Sequence, residues 1–296
     1  MRRTVQGVIL VDVFSGTGAM TTRAFGAPTP PVPGVGCKSQ LAGELLSRLL
    51  LPGERVAGSV MLERAPAHGW TAWIGSPTGR GAVSSCVRAL GAGDPREAYS
   101  RMRGRAPSEN PVESAAEGLL LHAWTYRCRL PTMRDGVWST AGFDASRAYD
   151  SGAPGTKQFR RATTADVVAD RLLNDREFPA VLLTGDAVRN LPAALSLAES
   201  SGLPVRVYFD PPYAGTLGFG TDDAVREEVV WMGRLSLERG HRVGVSEASP
   251  VEELAAEGWH SMVVERIGGS GRGVRTFANN AWEYLTLSPP PPREPG

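Results

Sequence analysis

Asp210-Pro211-Pro212-Tyr213 closes the apolar run VRVYF and brings a carboxylate, two prolines and an aromatic ring into four residues. Each proline lacks a backbone N–H and fixes φ at about −65°, so the carboxylate and the neighbouring carbonyls form a stiff set of acceptors. Such a set suits an amino group, which has hydrogens to give, and the ring beside it offers a stacking surface or a face for a cation. Other acids follow strand-like runs: Glu63 ends VAGSVMLE, and Asp186 follows AVLLTG. Ligands in an open α/β sheet sit beyond the carboxyl ends of the strands, which makes Glu63, Asp186 and Asp210 site candidates. A carboxylate in that place equally caps a turn or the next helix. Glycines after VILVDV, in Phe14-Ser15-Gly16-Thr17-Gly18-Ala19, either let the backbone approach a ligand or make a plain tight turn.

The elements that must position these residues alternate. VQGVILVDVF, VAGSVMLER, AVLLTGDAV, VRVYFD and HRVGVSEA read as strands, with SMVVERI and WEYLTLS as closing strands. KSQLAGELLSRLL, the stretch from 82 to about 129, ADVVADRLLN and DDAVREEVVWMGRLSLERG carry helical spacing, and VEELAAEGW reads as a short helix. Residues 131–157, rich in Gly, Ser, Asp and Arg, read as a long loop, and the tail SPPPPREPG as disordered or polyproline II. Strands alternating with helices imply a mostly parallel sheet with helices on both faces. The expected organisation is a catalytic α/β domain in two parts, 1–80 and 163–288, an inserted helical and loop region over 81–162, and a tail over 289–296.

The chain has 296 residues, 42% hydrophobic, enough for one sizeable core plus a small insertion. A net charge of +1 neither advertises nor excludes a nucleic-acid partner. Cys37, Cys86 and Cys128 lie far apart without a CxxC pair and read as reduced thiols, and the four histidines show no metal-ligand spacing, so no metal is expected. The N-terminal apolar run is too short to span a bilayer and lacks a small-residue cleavage site, so a soluble, cytoplasmic protein is expected.

DPPY after a strand resembles the catalytic motif of the amino-methylating DNA methyltransferases. VPGVGCKSQLAGELLSRL, with Gly36 and Lys38, is similar to the glycine- and lysine-containing segment of the Dam-type DNA adenine-N6 methyltransferases. LLLHAWTYRCRLPTMRDGVWSTAGFD, AVLLTGDAV and TFANNAWEYLTLS resemble that family's central stretch, its strand ending in Gly-Asp and its closing strand, in the family's order over roughly residues 30 to 288. The resemblance implies a Rossmann-like S-adenosylmethionine-dependent methyltransferase fold with an inserted DNA-recognition region. It also implies methyl transfer to an exocyclic amino group in double-stranded DNA, most often adenine N6. Cytosine N4, another amino substrate, transfer of another cofactor-derived group and a non-catalytic DNA-binding paralogue remain alternatives.

The resemblance implies roles residue by residue. Asp210 and the Pro211 carbonyl hold the amino group, Pro212 stiffens the turn, and Tyr213 stacks on an extruded base. Gly36 and Lys38, with Glu63, Asp186 and Asp210, line the cofactor. Arg127, Arg129, Arg134, Lys157, Arg160 and Arg161, together with Arg147 and the aromatics Trp124, Tyr126, Trp138 and Phe143, supply DNA contacts. One departure stands out, because the family's Phe-x-Gly-x-Gly loop follows the lysine segment, where this chain reads MLERAPAHGW, while FSGTGA with Phe14, Gly16 and Gly18 precedes it. Either the N-terminal strand and loop work in altered order, or they are an extension and MLERAPAHGW is a degenerate replacement. Spacing from the lysine segment favours the second, on which a chain beginning at Met20 should fold and bind cofactor.

Overall fold

Along β1 (Gln6–Val13) successive side chains enter two different cores. Ile9, Val11 and Val13 join one, and Val8 and Leu10 join the other, as the two-residue period of a strand buried on both faces requires. In the computed structural model the described residues are 5–16, 18–26, 32, 41–63, 77–126, 131–149, 164–173, 179–211, 226–266 and 282–290. The chain divides into two compact units. Residues 1–26, 38–64 and 181–296 form the first, and 27–37 with 65–180 the second.

The first unit is built on a seven-stranded sheet in the order β5-β2-β1-β6-β7-β9-β8. Its further strands are β2 (Glu54–Glu63), β5 (Ala180–Thr184), β6 (Val205–Phe209), β7 (Arg242–Glu247), β8 (His260–Arg266) and β9 (Trp282–Leu287). β1 pairs in parallel with β2 on one side and β6 on the other, β6 with β7 likewise, and β9 runs antiparallel to both β7 and β8. The outermost pair, β8 and β9, slips register between Val263 and Glu265. α1 (Ala19–Ala24) and α2 (Ala42–Leu49) supply residues to the core containing Leu10, and α8 (Ala187–Glu199) and α9 (Arg226–Glu238) to the core containing Val11. Ala42, Leu45, Leu46 and Leu49 on α2, and Leu191, Ala194, Leu195 and Ala198 on α8, repeat at i, i+3, i+4, i+7, the stripe a helix needs to cover a sheet. The expected Rossmann-like α/β architecture, mostly parallel and covered on both faces, is the one found.

One expectation is corrected here. VILVDVFSGTGA is no extension: it forms β1 and the turn into α1, in the middle of the sheet. MLE of MLERAPAHGW is the end of β2, which follows α1 and α2 in the chain. Spacing from the lysine segment presumed the family's segment order; two parallel ladders on β1 overrule it.

The second unit holds α3 (Pro77–Leu90), α4 (Pro95–Met102), α5 (Pro111–Trp124), α6 (Ala145–Ala148), α7 (Ala165–Leu172) and the hairpin of β3 (Thr132–Arg134) and β4 (Val137–Ser139). The continuous helical pattern read over 82 to about 129 is three helices. Asp94 and Asn110 cap α4 and α5 by accepting backbone N–H bonds, each followed by a proline at the first helical position. The expected long loop after 131 contains the hairpin instead, turned by Asp135 and Gly136 at φ 52° and 78°. α3 and α7 approach so closely at Gly91 that a Cβ there would lie 2.3 Å from the Ala165 Cβ.

Candidate functional site

The chain runs outward from β1 to β2 and β5 on one side, then returns through α8 to β6 on the other side of β1. That reversal creates a crevice at the carboxyl ends of β1 and β6, where open α/β sheets bind ligands. Both sequence motifs converge on it. The turn Phe14–Gly18 leaves β1, and Asp210 leaves β6 with its backbone N–H donating to Val13 O at 3.2 Å.

Three residues of the glycine turn have positive φ: Phe14 at 60°, Gly16 at 53° and Gly18 at 70°. For phenylalanine this is a strained conformation, held here because Ser15 N donates to Leu62 O at 3.0 Å and Gly16 N to Glu63 Oε2 at 2.7 Å. Glu63 thus ties the turn to β2, and its own carbonyl accepts from Gly185 N at 3.0 Å, bringing in the end of β5. Among the described residues a Cβ on Gly16 would meet nothing nearer than Phe14 O at 3.8 Å, so none of them closes the turn on that side. The Ser15 hydroxyl is buried with no hydrogen-bond partner among the described residues. An open backbone turn and a buried hydroxyl in want of a partner fit a polar ligand laid across β1.

Asp186 is exposed, and its Oδ1 accepts from Arg189 N at 3.0 Å, the N-cap of α8. Asp210 is half-buried and Pro211 buried, whereas Pro212, Tyr213, Gly36 and Lys38 lie outside the described residues. Sequence reasoning passed over Asp12, two residues before Phe14. It is 1% exposed, and Oδ2 accepts from Thr21 Oγ1 at 2.9 Å and Thr21 N at 3.3 Å. Burial pushes its carboxyl up to about 7, the bonds from Thr21 opposing and repulsion from Asp210 adding. A lone acid inside a strand of apolar residues was the signal. Tyr208, its register partner on β6, donates to Ser246 Oγ at 2.8 Å, and burial with the charge of Asp210 holds its phenol well above the usual range.

In the second unit, Arg134 is 84% exposed beside the hairpin turn, with Asp135 Oδ2 3.9 Å away. Arg127, Arg129, Lys157, Arg160 and Arg161 lie outside the described residues. Arg147 donates to Ala123 O at 3.2 Å within the unit. Trp124 and Trp138 are core residues, so neither is a stacking platform, contrary to the sequence reading; Trp124 ends the buried α5, and Trp138 on β4 gives its Nε1–H to buried Glu117. Tyr126 is exposed, and Phe143 lies under the Arg96 guanidinium at 5.1 Å. Two arginines not considered from the sequence, Arg101 and Arg103, are exposed with no ion-pair partner among the described residues. Gly104, at φ 77°, and Arg105 oppose Trp138 in a G1-type bulge, which fixes this arginine segment beside the hairpin. By sequence the second unit carries 15 Lys+Arg against 12 Asp+Glu, the first 17 against 19.

Among the described residues no group of His, Cys, Asp and Glu could hold a metal ion, and no helix is long and apolar enough to cross a membrane. No protein-family model and no curated protein matches the chain. Two solved structures of the rRNA methyltransferase aviRa from Streptomyces viridochromogenes are similar to it. One is 15% identical with a TM-score of 0.36, covering 96% of this chain and 78% of that one; the other is 16% identical at 0.35, covering 95% and 76%.

Proposed function

We propose that the protein transfers a methyl group from S-adenosylmethionine to the exocyclic amino group of a nucleic-acid base, adenine N6 in double-stranded DNA being the target. The observation that carries the reading is the convergence of the Phe14–Gly18 turn and Asp210 on one crevice, at the carboxyl ends of β1 and β6. S-adenosylmethionine, when bound, supplies an electrophilic methyl on a sulfonium, a chemistry that needs alignment more than covalent help. Gly16, Gly18 and Ser15 fit its polar parts through open backbone and the unpartnered hydroxyl, Glu63 fixes the turn that receives it, and Lys38 pairs with its carboxylate. Asp210 and the Pro211 carbonyl accept the two amino hydrogens, draw the nitrogen lone pair out of conjugation and steady the positive charge that develops on nitrogen. Tyr213 stacks on the base once it leaves the duplex. Arg101, Arg103, Arg127, Arg129, Arg134, Lys157, Arg160 and Arg161 meet phosphates, in keeping with the positive excess of the second unit.

A second reading has an observation of its own. The glycine turn precedes the lysine segment in this chain, which departs from the Dam-type order and favours an amino substrate other than DNA adenine. One experiment tests both: incubation with isotope-labelled S-adenosylmethionine and either duplex DNA or RNA, followed by mass spectrometry of the nucleosides. Labelled N6-methyl-2′-deoxyadenosine from DNA alone supports the first reading, label in another amino-methylated nucleoside the second, and no label in any nucleoside removes the first and confines the second to substrates outside nucleic acid.

A further inference from the structure

Asp12 is a carboxylate that the reaction does not touch, yet it lies directly under the turn the cofactor would use. It points to the α1 side of β1, where both hydrogen bonds given to it come from one neutral residue, Thr21. The Thr21 hydroxyl is shared with Ser59 Oγ on β2 at 2.9 Å, so the three side chains staple α1 to two strands. The groups facing Asp12 carry no compensating cation among the described residues. Asp210 at the end of β6 and Glu63 at the end of β2 both repel it. Tyr208 on β6 gives its hydroxyl to Ser246 on β7, and Glu283 on β9 adds a further negative charge bearing on Tyr208. Arg23, the basic residue of α1, turns to α2, its Nε 3.0 Å from where a Cβ on Gly43 would stand.

We infer that Asp12 is a charge-selectivity residue of this site: its ionisation makes the crevice prefer a cationic sulfonium ligand over the neutral thioether left after methyl transfer, and pH sets the strength of that preference. The inference rests on the methyl-transfer reading. A buried carboxylate among other carboxylates costs less to ionise once a cation arrives, so the cation and the ionised state of Asp12 strengthen each other. A neutral ligand of the same shape gives no such return. The group titrates at about 7, so the preference is weak where Asp12 is protonated and full where it is ionised.

The test is calorimetric and needs no turnover: the affinities of S-adenosylmethionine and S-adenosylhomocysteine are measured from pH 6 to pH 8 on the full chain. The sulfonium makes the α-ammonium of S-adenosylmethionine more acidic than that of S-adenosylhomocysteine, a difference that belongs to the ligands, so the ratio is compared between wild type and Asp12→Asn. Relative to Asp12→Asn, the wild-type ratio should turn about three- to tenfold further towards the sulfonium over that range, the change being centred below about 7 because the bound cation lowers the Asp12 pKa. Asp12→Asn keeps an acceptor for Thr21 and should leave only the pH dependence that the ligands themselves bring. Thr21→Val removes one stabilising donor and should move the midpoint to higher pH, a shift that a purely structural staple would not produce. The same pH dependence of the ratio in wild type and Asp12→Asn overturns the inference and leaves the methyl-transfer reading standing. Absence of binding by either ligand at every pH overturns that reading instead.

Discussion

Asp12 in the first unit and Glu117 in the second are both buried carboxylates, and their surroundings differ in kind. Glu117, on α5, accepts from the Arg105 guanidinium at 2.7 Å, Ser108 N at 3.0 Å and Trp138 Nε1 at 3.1 Å. Three donors from two segments, one of them cationic, make it the joint that holds α5, the arginine segment and the hairpin together. Asp12 has one neutral residue as donor and two acids as neighbours. A protein that needs only stability surrounds a buried acid with donors, as the second unit does. Leaving one under-compensated beneath a glycine turn keeps electrostatic free energy in reserve for a ligand.

The largest break in this contrast comes from removing its frame. A chain starting at Met20 lacks β1, so β2 and β6 lose their common partner, and we expect no cooperative unfolding transition and no calorimetric binding of S-adenosylmethionine. Next in size, Asp210→Ala should lower methyl transfer by roughly 10²-fold or more, because one preorganised acceptor at developing charge is lost. Its cofactor affinity should stay within about tenfold, and wild-type-like turnover would exclude Asp210 from the chemistry. Third comes the pH dependence of stability. Asp12 holds its proton more tightly folded, at about 7, than at its ordinary value of 3.8, so the folded state binds more protons between those values. Stability from this group is complete below pH ~4, declines as pH rises and is gone above pH ~7, a change on the order of 4 kcal/mol at most. Denaturant titrations of wild type and Asp12→Asn should differ in slope across that window and run parallel above it. Smallest is Glu117→Gln, which keeps the shape but weakens the pairing with Arg105 and turns a donor towards Trp138 or Ser108. A loss of about 1–3 kcal/mol in denaturant titrations at neutral pH is expected; unchanged stability would remove Glu117 as the joint of the second unit.

Much of the first unit was legible because its strands are short apolar runs that end in chemistry-bearing residues. Asp210 and Glu63 were found by their position after such runs, and both belong to the crevice. The place of β1 was not legible, since a resemblance in segment order competed with it and only pairing on both edges decides which strand is central. Asp186 illustrates a different limit: a carboxylate after a strand serves a ligand or a helix cap equally well in sequence, and here its carboxylate meets the N–H of Arg189. Helix α8 passed unread because Pro192 interrupts its pattern, although a stripe from Leu191 to Ala198 buries it. Trp124 and Trp138 misled because tryptophan beside arginine suits base stacking and a core equally; burial distinguishes them, and it depends on contacts distant in sequence.

The slip between Val263 and Glu265 has a consequence outside chemistry. β8 is one of the sheet's two edge strands, β5 being the other, and a straight edge strand presents a regular row of amide and carbonyl groups that templates addition of a second molecule. Val263 is 47% exposed there, an invitation to such stacking. An irregular residue in the ladder breaks the repeat along that rim, so two copies brought rim to rim cannot zip along its whole length. The same small distortion that looks like imperfect pairing thus makes this rim a poorer template than a regular strand.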